Sequence, residues 1–501
     1  MQNNQIESYV ILGGGTAGWI SAAVLAQALK NSKVNITLIE SPNVATVGVG
    51  EATIPSIVDL LEYLRIPQKD FILKTNATFK LGIKFVDWLE KGQHYWHQFG
   101  YIGNNIDGLP FYQHWARHIS QGGQFGLTDF SPAVALAKQN KFFIPDPKRP
   151  NNLSGSTYAL HFDAGLVAEY LKEYCLKKHN LEVVYDHLVD TELDIQGQIK
   201  TLHLQSGKHI SADFFIDCSG QRALLINKAL RVGYQNWQHY LPANKAIAVQ
   251  TDISNPLPPY TEATAHEHGW RWRIPLQNRT GNGYVYCDDF CSDNHAEALL
   301  IDHATKHNCV INQSKLISFT TGKRDKMWFK NCLAVGLSSG FLEPLESTSI
   351  YLIMRAMLNF VQSLPDKMPH PATIKEFNRR MDIEYQCIRD FIVLHYCRTQ
   401  RTDSAFWRMW QTLAIPDSLQ QKLALFEAQG RLMHNPQDLF AQDSWYAVLE
   451  GMGVRAKSLD PRVYQSNFTM VEKAFADSAN ALVQVASKTL DHAEYIQRLK
   501  L

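Results

Sequence analysis

The stretch Ser8-Tyr9-Val10-Ile11-Leu12-Gly13-Gly14-Gly15-Thr16-Ala17-Gly18 runs from a short apolar segment into a glycine-rich turn, and Trp19 to Leu29 that follow are rich in helix formers. This order is the βα entry of a dinucleotide fold. Gly13, Gly15 and Gly18 let the backbone approach a pyrophosphate, whose charge meets the helix N-terminus, and Thr16 and Ala17 of the same turn are further cofactor-binding candidates. The next apolar strand, Val34 to Ile39, ends at Glu40, about 20 residues beyond the last glycine, where an acid accepts ribose hydroxyls.

Farther along, Asp213-Phe214-Phe215-Ile216-Asp217-Cys218-Ser219-Gly220 reads as an apolar strand ending in small residues. Ahead of it, Thr191 to Ile195 and Ile199 to Leu204, joined through Gln196-Gly197-Gln198, read as a hairpin. Beyond about residue 350 the pattern turns helical. Ile350 to Leu364 ends before Pro365, Ile374 to Tyr396 has helical apolar spacing, and Met470 to Leu499 reads as one long terminal helix. These signals predict an α/β fold with two modules, residues 1–365 and a mainly helical 366–501 packed on the first, with a ligand pocket expected between them.

The net charge is +1 and the charges are scattered, so no basic face marks nucleic acid or an anionic membrane as a partner. Eight irregularly spaced cysteines make no disulfide framework, which favours a reducing cytoplasm. Cys287 and Cys291 lack the further ligands of a tetrahedral set, so no metal is expected. The apolar run from Tyr9 to Leu29 has about the length of a membrane span, but its three glycines and the lack of a preceding basic region read instead as strand, turn and helix.

Three further motifs follow the fingerprint. They are Thr78-Phe79-Lys80-Leu81-Gly82-Ile83-Lys84-Phe85, Trp270-Arg271-Trp272-Arg273-Ile274-Pro275, and Gly340-Phe341-Leu342-Glu343-Pro344-Leu345-Glu346-Ser347-Thr348-Ser349-Ile350. In this order they resemble the flavin-dependent halogenases of the tryptophan and indole type, and the resemblance covers essentially the whole chain. Val47 to Pro55 is similar to a loop that wraps the cofactor in that family. The resemblance implies a flavoprotein-monooxygenase-like, glutathione-reductase-like (GR2-type) Rossmann module binding FAD, with Leu188, Leu337 and Ile350 as further cofactor contacts.

In that family reduced FAD, oxygen and a halide, chloride or bromide, give hypohalous acid, which then reaches a separate substrate pocket. Lys80 matches the lysine that meets it there. An ammonium hydrogen-bonds the oxidant and sharpens the halogen, whereas a desolvated neutral amine can itself be halogenated. Lys84 is the ordinary alternative, a surface lysine one helical turn on. Glu346 matches the carboxylate that stabilises the cationic ring and takes its proton. A charge at a helix start would explain the same residue without chemistry. Thr348 and Ser349 match the halide-binding pair, although tryptophan-acting members carry glycine where this chain has Ser349. Trp270 and Trp272, followed by Ile274 and Pro275, look like the family pair near the flavin, although an alternating W-x-W also fills a core.

His97 and Phe99 match rings that sandwich indole in that family, which favours an aromatic, indole-like substrate. Trp445, Tyr446 and Glu450 stand where a tyrosine pair and neighbouring groups hold the amino-acid end, so indole or a larger indolic compound is as well supported as free tryptophan. No second dinucleotide fingerprint appears, which predicts a separate flavin reductase that supplies FADH2 by diffusion. A homodimer is among the candidate assemblies. The competing enzyme reading is an FAD-dependent aromatic hydroxylase, and the competing non-enzyme reading is a flavin carrier. Neither requires Lys80 and Glu346 in these motifs.

Overall fold

The computed structural model describes residues 5–42, 50–178, 181–306, 309–433 and 438–501. Val47, Gly48 and Val49 of the expected cofactor loop lie outside these. The contacts divide the chain into two units, one of residues 1–76, 162–238 and 319–386, the other of 77–161, 239–318 and 387–501. This division differs from the expected single boundary after residue 365. Strand pairing is the cause, because each central sheet recruits strands from distant parts of the sequence.

The first unit is built on a six-stranded sheet in the order Trp328–Phe329, Cys332–Ala334, Phe214–Asp217, Ser8–Leu12, Asn35–Glu40 and Leu181–Tyr185, parallel except for the first pair. Its two innermost strands carry the continuous apolar runs Tyr9 to Leu12 and Phe214 to Ile216, all buried, because both faces are covered. Tyr9 and Phe214 pack on one face with Phe360 and Trp328, while Val10 and Phe215 join Ile199, Leu202 and Ile210 on the other. The helix Thr16–Ala28 follows the first strand, as the glycine turn predicts. The hairpin forms between Leu188–Leu193 and Ile199–Leu204. Its turn is held by the Asp194 carboxylate, which accepts the backbone N–H groups of Gln196 and Gln198, with Gly197 at φ +70°.

The second unit is built on a seven-stranded sheet in the order Lys315–Ser318, Lys245–Thr251, Thr280–Tyr286, Gly269–Pro275, Thr261–His266, Gly82–Val86 and His94–Gln98. Trp272 pairs with Gly283, whose missing side chain makes room for the indole; a Cβ there would lie 1.9 Å from the ring. Thr78–Lys80 and Gly82–Val86 are both strands, so Lys84 is not one helical turn from Lys80. The β-branched and aromatic residues around the lysines, satisfied by cross-strand partners, outweigh the helical reading.

The helices Ser349–Val361 and Pro371–Cys397 lie close to the expected positions. The single terminal helix does not form. Phe468–Ser487 ends before a two-residue strand, Leu490–Asp491, and the chain resumes as His492–Lys500. Leu490 pairs with Phe142 and Asp491 with Lys141, so tertiary pairing interrupts a sequence with adequate helix propensity. Among the described residues no helix is long and apolar enough to cross a membrane.

Candidate active site

The nucleotide cradle belongs to the first unit. Gly13 sits at φ +120°, and a Cβ on it would lie 2.3 Å from the Cys218 carbonyl oxygen. On Gly18 a Cβ would meet the Gly13 carbonyl at 1.8 Å. Both glycines are therefore fixed by backbone packing. Gly15 is different. Among the described residues a Cβ on it meets nothing within 4 Å, and it caps the Thr16–Ala28 helix without a side-chain hydrogen bond to the first-turn N–H groups. That combination fits a pyrophosphate.

Glu40 ends the neighbouring strand, and its stem crosses Gly14, where a Cβ would lie 2.3 Å from Glu40 Cγ. A small pocket beside it is lined by Leu12, Gly13, Ile39, Ser41, His187 and Leu188 among others, at the carboxyl ends of the parallel strands. Ser41 Oγ and His187 Nδ1 are 2.9 Å apart. Asp217, ending the return strand, accepts the N–H groups of Ser219, Leu225 and Ile226 and so fixes the turn that carries Ser219 and Arg222 to the same pocket. The donor set suits the adenosine half of FAD.

The second cofactor segment lies in the same unit. Gly336, at φ +72°, comes so close to the glycine turn that a Cβ would lie 2.8 Å from the Ala17 Cβ. Leu337 beside it is 39% exposed, available to a ligand, whereas Ile350 is buried in the first turn of the Ser349–Val361 helix. Glu346 ends a 3₁₀ turn, Pro344–Glu346, and is fully buried. Ser347 follows in the left-handed region at φ +59°, and Thr348 and Ser349 open the helix, so their segment presents first-turn N–H groups. Ordinary helix starts do not bury the preceding carboxylate completely, which sets Glu346 apart from a charge that merely faces a helix end.

Lys80 belongs to the second unit and is also fully buried. Its ammonium lies 5.1 Å from the Phe99 ring centroid. Two histidines hold its strand. His492 accepts the Phe79 N–H at Nε2 (3.0 Å) and donates from Nδ1 to the Leu257 carbonyl (3.1 Å). The Thr78 hydroxyl donates to the Pro275 carbonyl at 2.6 Å, so at 3.0 Å His161 Nδ1 must be the donor to Thr78 Oγ1, leaving His161 Nε2 to accept from Thr261. Both rings are thereby neutral. Burial pushes His492 down to about 4, and burial together with the Lys80 charge holds His161 well below the usual histidine range. The Thr78–Pro275 bond also ties the lysine motif to the end of the W-x-W motif, where Ile274 is buried and Trp270 and Trp272 pack 6.1 Å apart.

The candidate substrate residues separate within this unit. His97 packs against Phe391 and Phe440, which stack at 3.8 Å, and Trp445 meets Phe391 edge-on at 4.9 Å. Phe99 lies 6.3 Å from His97 and continues this aromatic run to Lys80. Tyr446 points elsewhere, stacked on Tyr112 at 4.5 Å. Glu450 pairs with Arg455 at 2.6 Å on the wall of a pocket of about 400 Å³ shared with Tyr95, Trp96 and Ala447. Burial raises the Glu450 carboxyl, against the pull of Arg455.

Several residues here were not anticipated from sequence. Ser41 and His187, and Asp186 in the same pocket lining, follow strand ends, a position that marks ligand loops in parallel sheets and offered a signal. His161 and His492 offered none, because single histidines carry no motif.

A sequence model of the tryptophan halogenase family matches residues 8–467. The chain is 33% identical to the tryptophan 6-halogenase SttH of Streptomyces toxytricini, covering 96% of this chain and 97% of that one. The flavin-dependent halogenase BrvH from Brevundimonas sp. BAL3 superposes with a TM-score of 0.94 at 36% identity, over 99% of each chain. Xcc4156, a flavin-dependent halogenase from Xanthomonas campestris, superposes with a TM-score of 0.94 at 37% identity, over 99% of this chain and 98% of that one. Fold, cradle and motifs thus coincide, and the chain belongs to the tryptophan halogenase family of flavin-dependent halogenases.

Proposed function

We propose that Lys80 delivers the halogen and Glu346 assists the attack on an electron-rich, indole-like ring. The observation that carries this reading is the complete burial of Lys80 on a strand clamped by two neutral histidines, next to the aromatic face of Phe99. Reduced FAD, with oxygen and chloride or bromide, supplies the hypohalous acid when it is bound. The first-unit cradle of Gly13, Gly15, Gly18 and Glu40 holds the cofactor's nucleotide half, with Leu188, Leu337 and Ile350 as further contacts. Backbone groups of Thr348 and Ser349 hold the halide.

The Lys80 ammonium then donates a hydrogen bond to the oxidant. Donation to the oxygen withdraws electrons from the halogen and makes water or hydroxide the better leaving group. The Glu346 carboxylate stabilises the cationic ring and accepts its proton. His97, Phe99 and Trp445 supply flat aromatic surface for the substrate ring, whereas Tyr446, stacked on Tyr112, and Glu450, paired with Arg455, are engaged away from that surface. SttH is named for tryptophan, and the same ring chemistry serves here. The Trp445-Tyr446 pair and the occupied Glu450–Arg455 contact favour indole or a larger indolic compound over the free amino acid.

A separate flavin reductase supplies FADH2 by diffusion in the cytoplasm. The test is mass spectrometry of indole and tryptophan incubated with the protein, FAD, a flavin reductase, NADH and bromide or chloride. We expect a halogen isotope pattern that falls at least roughly a hundredfold in Lys80→Ala, the scale on which one positioned acid or hydrogen-bond donor acts. Undiminished product in that variant would overturn the assignment of Lys80.

A further inference from the structure

Lys172 lies on the helix Ala164–Lys178 of the first unit, far in sequence from any of the motifs. Its ammonium is 3.2 Å from Glu40 Oε2, 4.7 Å from the ring centroid of Tyr185 and 5.7 Å from that of Trp19. Glu40 is thus held from two sides. Its stem lies against Gly14, where no Cβ could fit, and one carboxylate oxygen is fixed by Lys172. Tyr185 is the direct neighbour of Glu40 across the sheet, so strand register brings the aromatic wall of the lysine to the carboxylate. Asp186, His187 and Leu188 immediately after Tyr185 line the nucleotide pocket. Lys172 is only 26% exposed, and it is raised above the usual lysine range, because Tyr185 and Glu40 together outweigh the burial that opposes its charge.

We infer that Lys172 is a positioning residue for the cofactor: it orients the Glu40 carboxylate so that its oxygens are presented to the ribose hydroxyls of FAD. A carboxylate with one oxygen already in a charge-assisted bond has fewer rotamers to lose when a diol arrives. The lysine itself does not touch the reacting atoms. This inference rests on the reading of the cradle as an FAD site, and the experiment separates the two.

The measurement is oxidised FAD binding to the full chain, followed by quenching of flavin fluorescence. It compares the wild type with Lys172→Met, Lys172→Arg, Glu40→Gln and the double variant Lys172→Met/Glu40→Gln. We expect roughly tenfold weaker binding in Lys172→Met, the scale of one supporting contact behind a ligand-binding group, and recovery of most of it in Lys172→Arg. In the Glu40→Gln background the Lys172→Met change should have no further effect, a non-additivity that general damage to the helix would not produce. Unchanged affinity in Lys172→Met would overturn the inference. So would tighter binding, which would show the lysine competing with the ribose for Glu40, or full additivity of the two changes. No FAD binding by the wild type would overturn the cofactor reading itself.

Discussion

His492 lies 413 residues beyond the Phe79 N–H that it accepts, yet it fixes the strand on which Lys80 stands. Removing it would leave two buried backbone groups, the Phe79 N–H and the Leu257 carbonyl, without their partner. Each such orphan costs about 1–3 kcal/mol. We therefore expect His492→Leu to destabilise the protein by about 2–4 kcal/mol, measured by denaturant unfolding, and to lower halogenation further than its remaining folded fraction accounts for. Full turnover per folded molecule would show that the clamp does not matter to Lys80. At this scale legibility was uneven. Gly13, Gly15, Gly18, Lys80 and Glu346 could be picked out as candidates because each sits in a spaced pattern whose chemistry calls for that residue type. His161, Lys172 and His492 were not, since their partners are set by strand register and helix placement that a linear sequence does not display.

The segment from Pro344 to Val361 shows what one element does with a short motif. A 3₁₀ turn ends at the buried Glu346, Ser347 takes a left-handed conformation, and the helix then starts at Ser349, so a stretch of four residues passes through three different environments. Ser349 keeps its backbone N–H while adding a hydroxymethyl group that glycine at this position would lack. Replacing it should preserve anion binding by the N–H groups and enlarge the space for the ion. We expect Ser349→Gly to stay active and to raise the bromide-to-chloride product ratio when both halides compete at equal concentration, because bromide is the larger ion. An unchanged ratio would place the halide away from this side chain. Element boundaries were legible where propensity and environment agree, as for the helix Ser349–Val361. They were not legible at residues 488–491, where pairing of Leu490 with Phe142 breaks an apparent long helix, or around Lys84, where the sheet wins over a helical reading.

At the scale of the molecule, both units are assembled from three chain segments each, and that interleaving was hidden because no composition shift or linker marks it. It has a consequence for stability, since both units bury titratable groups whose partners come from remote segments. In the second unit burial pushes His492 down to about 4 and, with the nearby His303, His266 down to about 3, against an ordinary 6.5. The unfolded chain takes up these protons below pH 6.5 while the folded protein does not, so their effect is to raise stability as pH climbs from about 4 to 6.5. Glu51 in the first unit has the opposite sign. Burial, with help from the Asp163 charge, raises it from 4.5 to about 7. Between those values the folded protein holds a proton that the unfolded chain has lost, so its contribution is complete below 4.5 and disappears as pH rises through 7. Glu51→Gln removes that ionisation in a side chain of nearly the same shape. The variant should match the wild type most closely near pH 4.5 and gain on it steadily up to about pH 7, by roughly 3 kcal/mol at the upper end. Thermal unfolding midpoints of the two proteins at pH 4.5, 6 and 7.5 measure the effect. A constant difference across that series would mean that Glu51 is ionised in the folded protein throughout, and that burial and the Asp163 charge do not hold its proton.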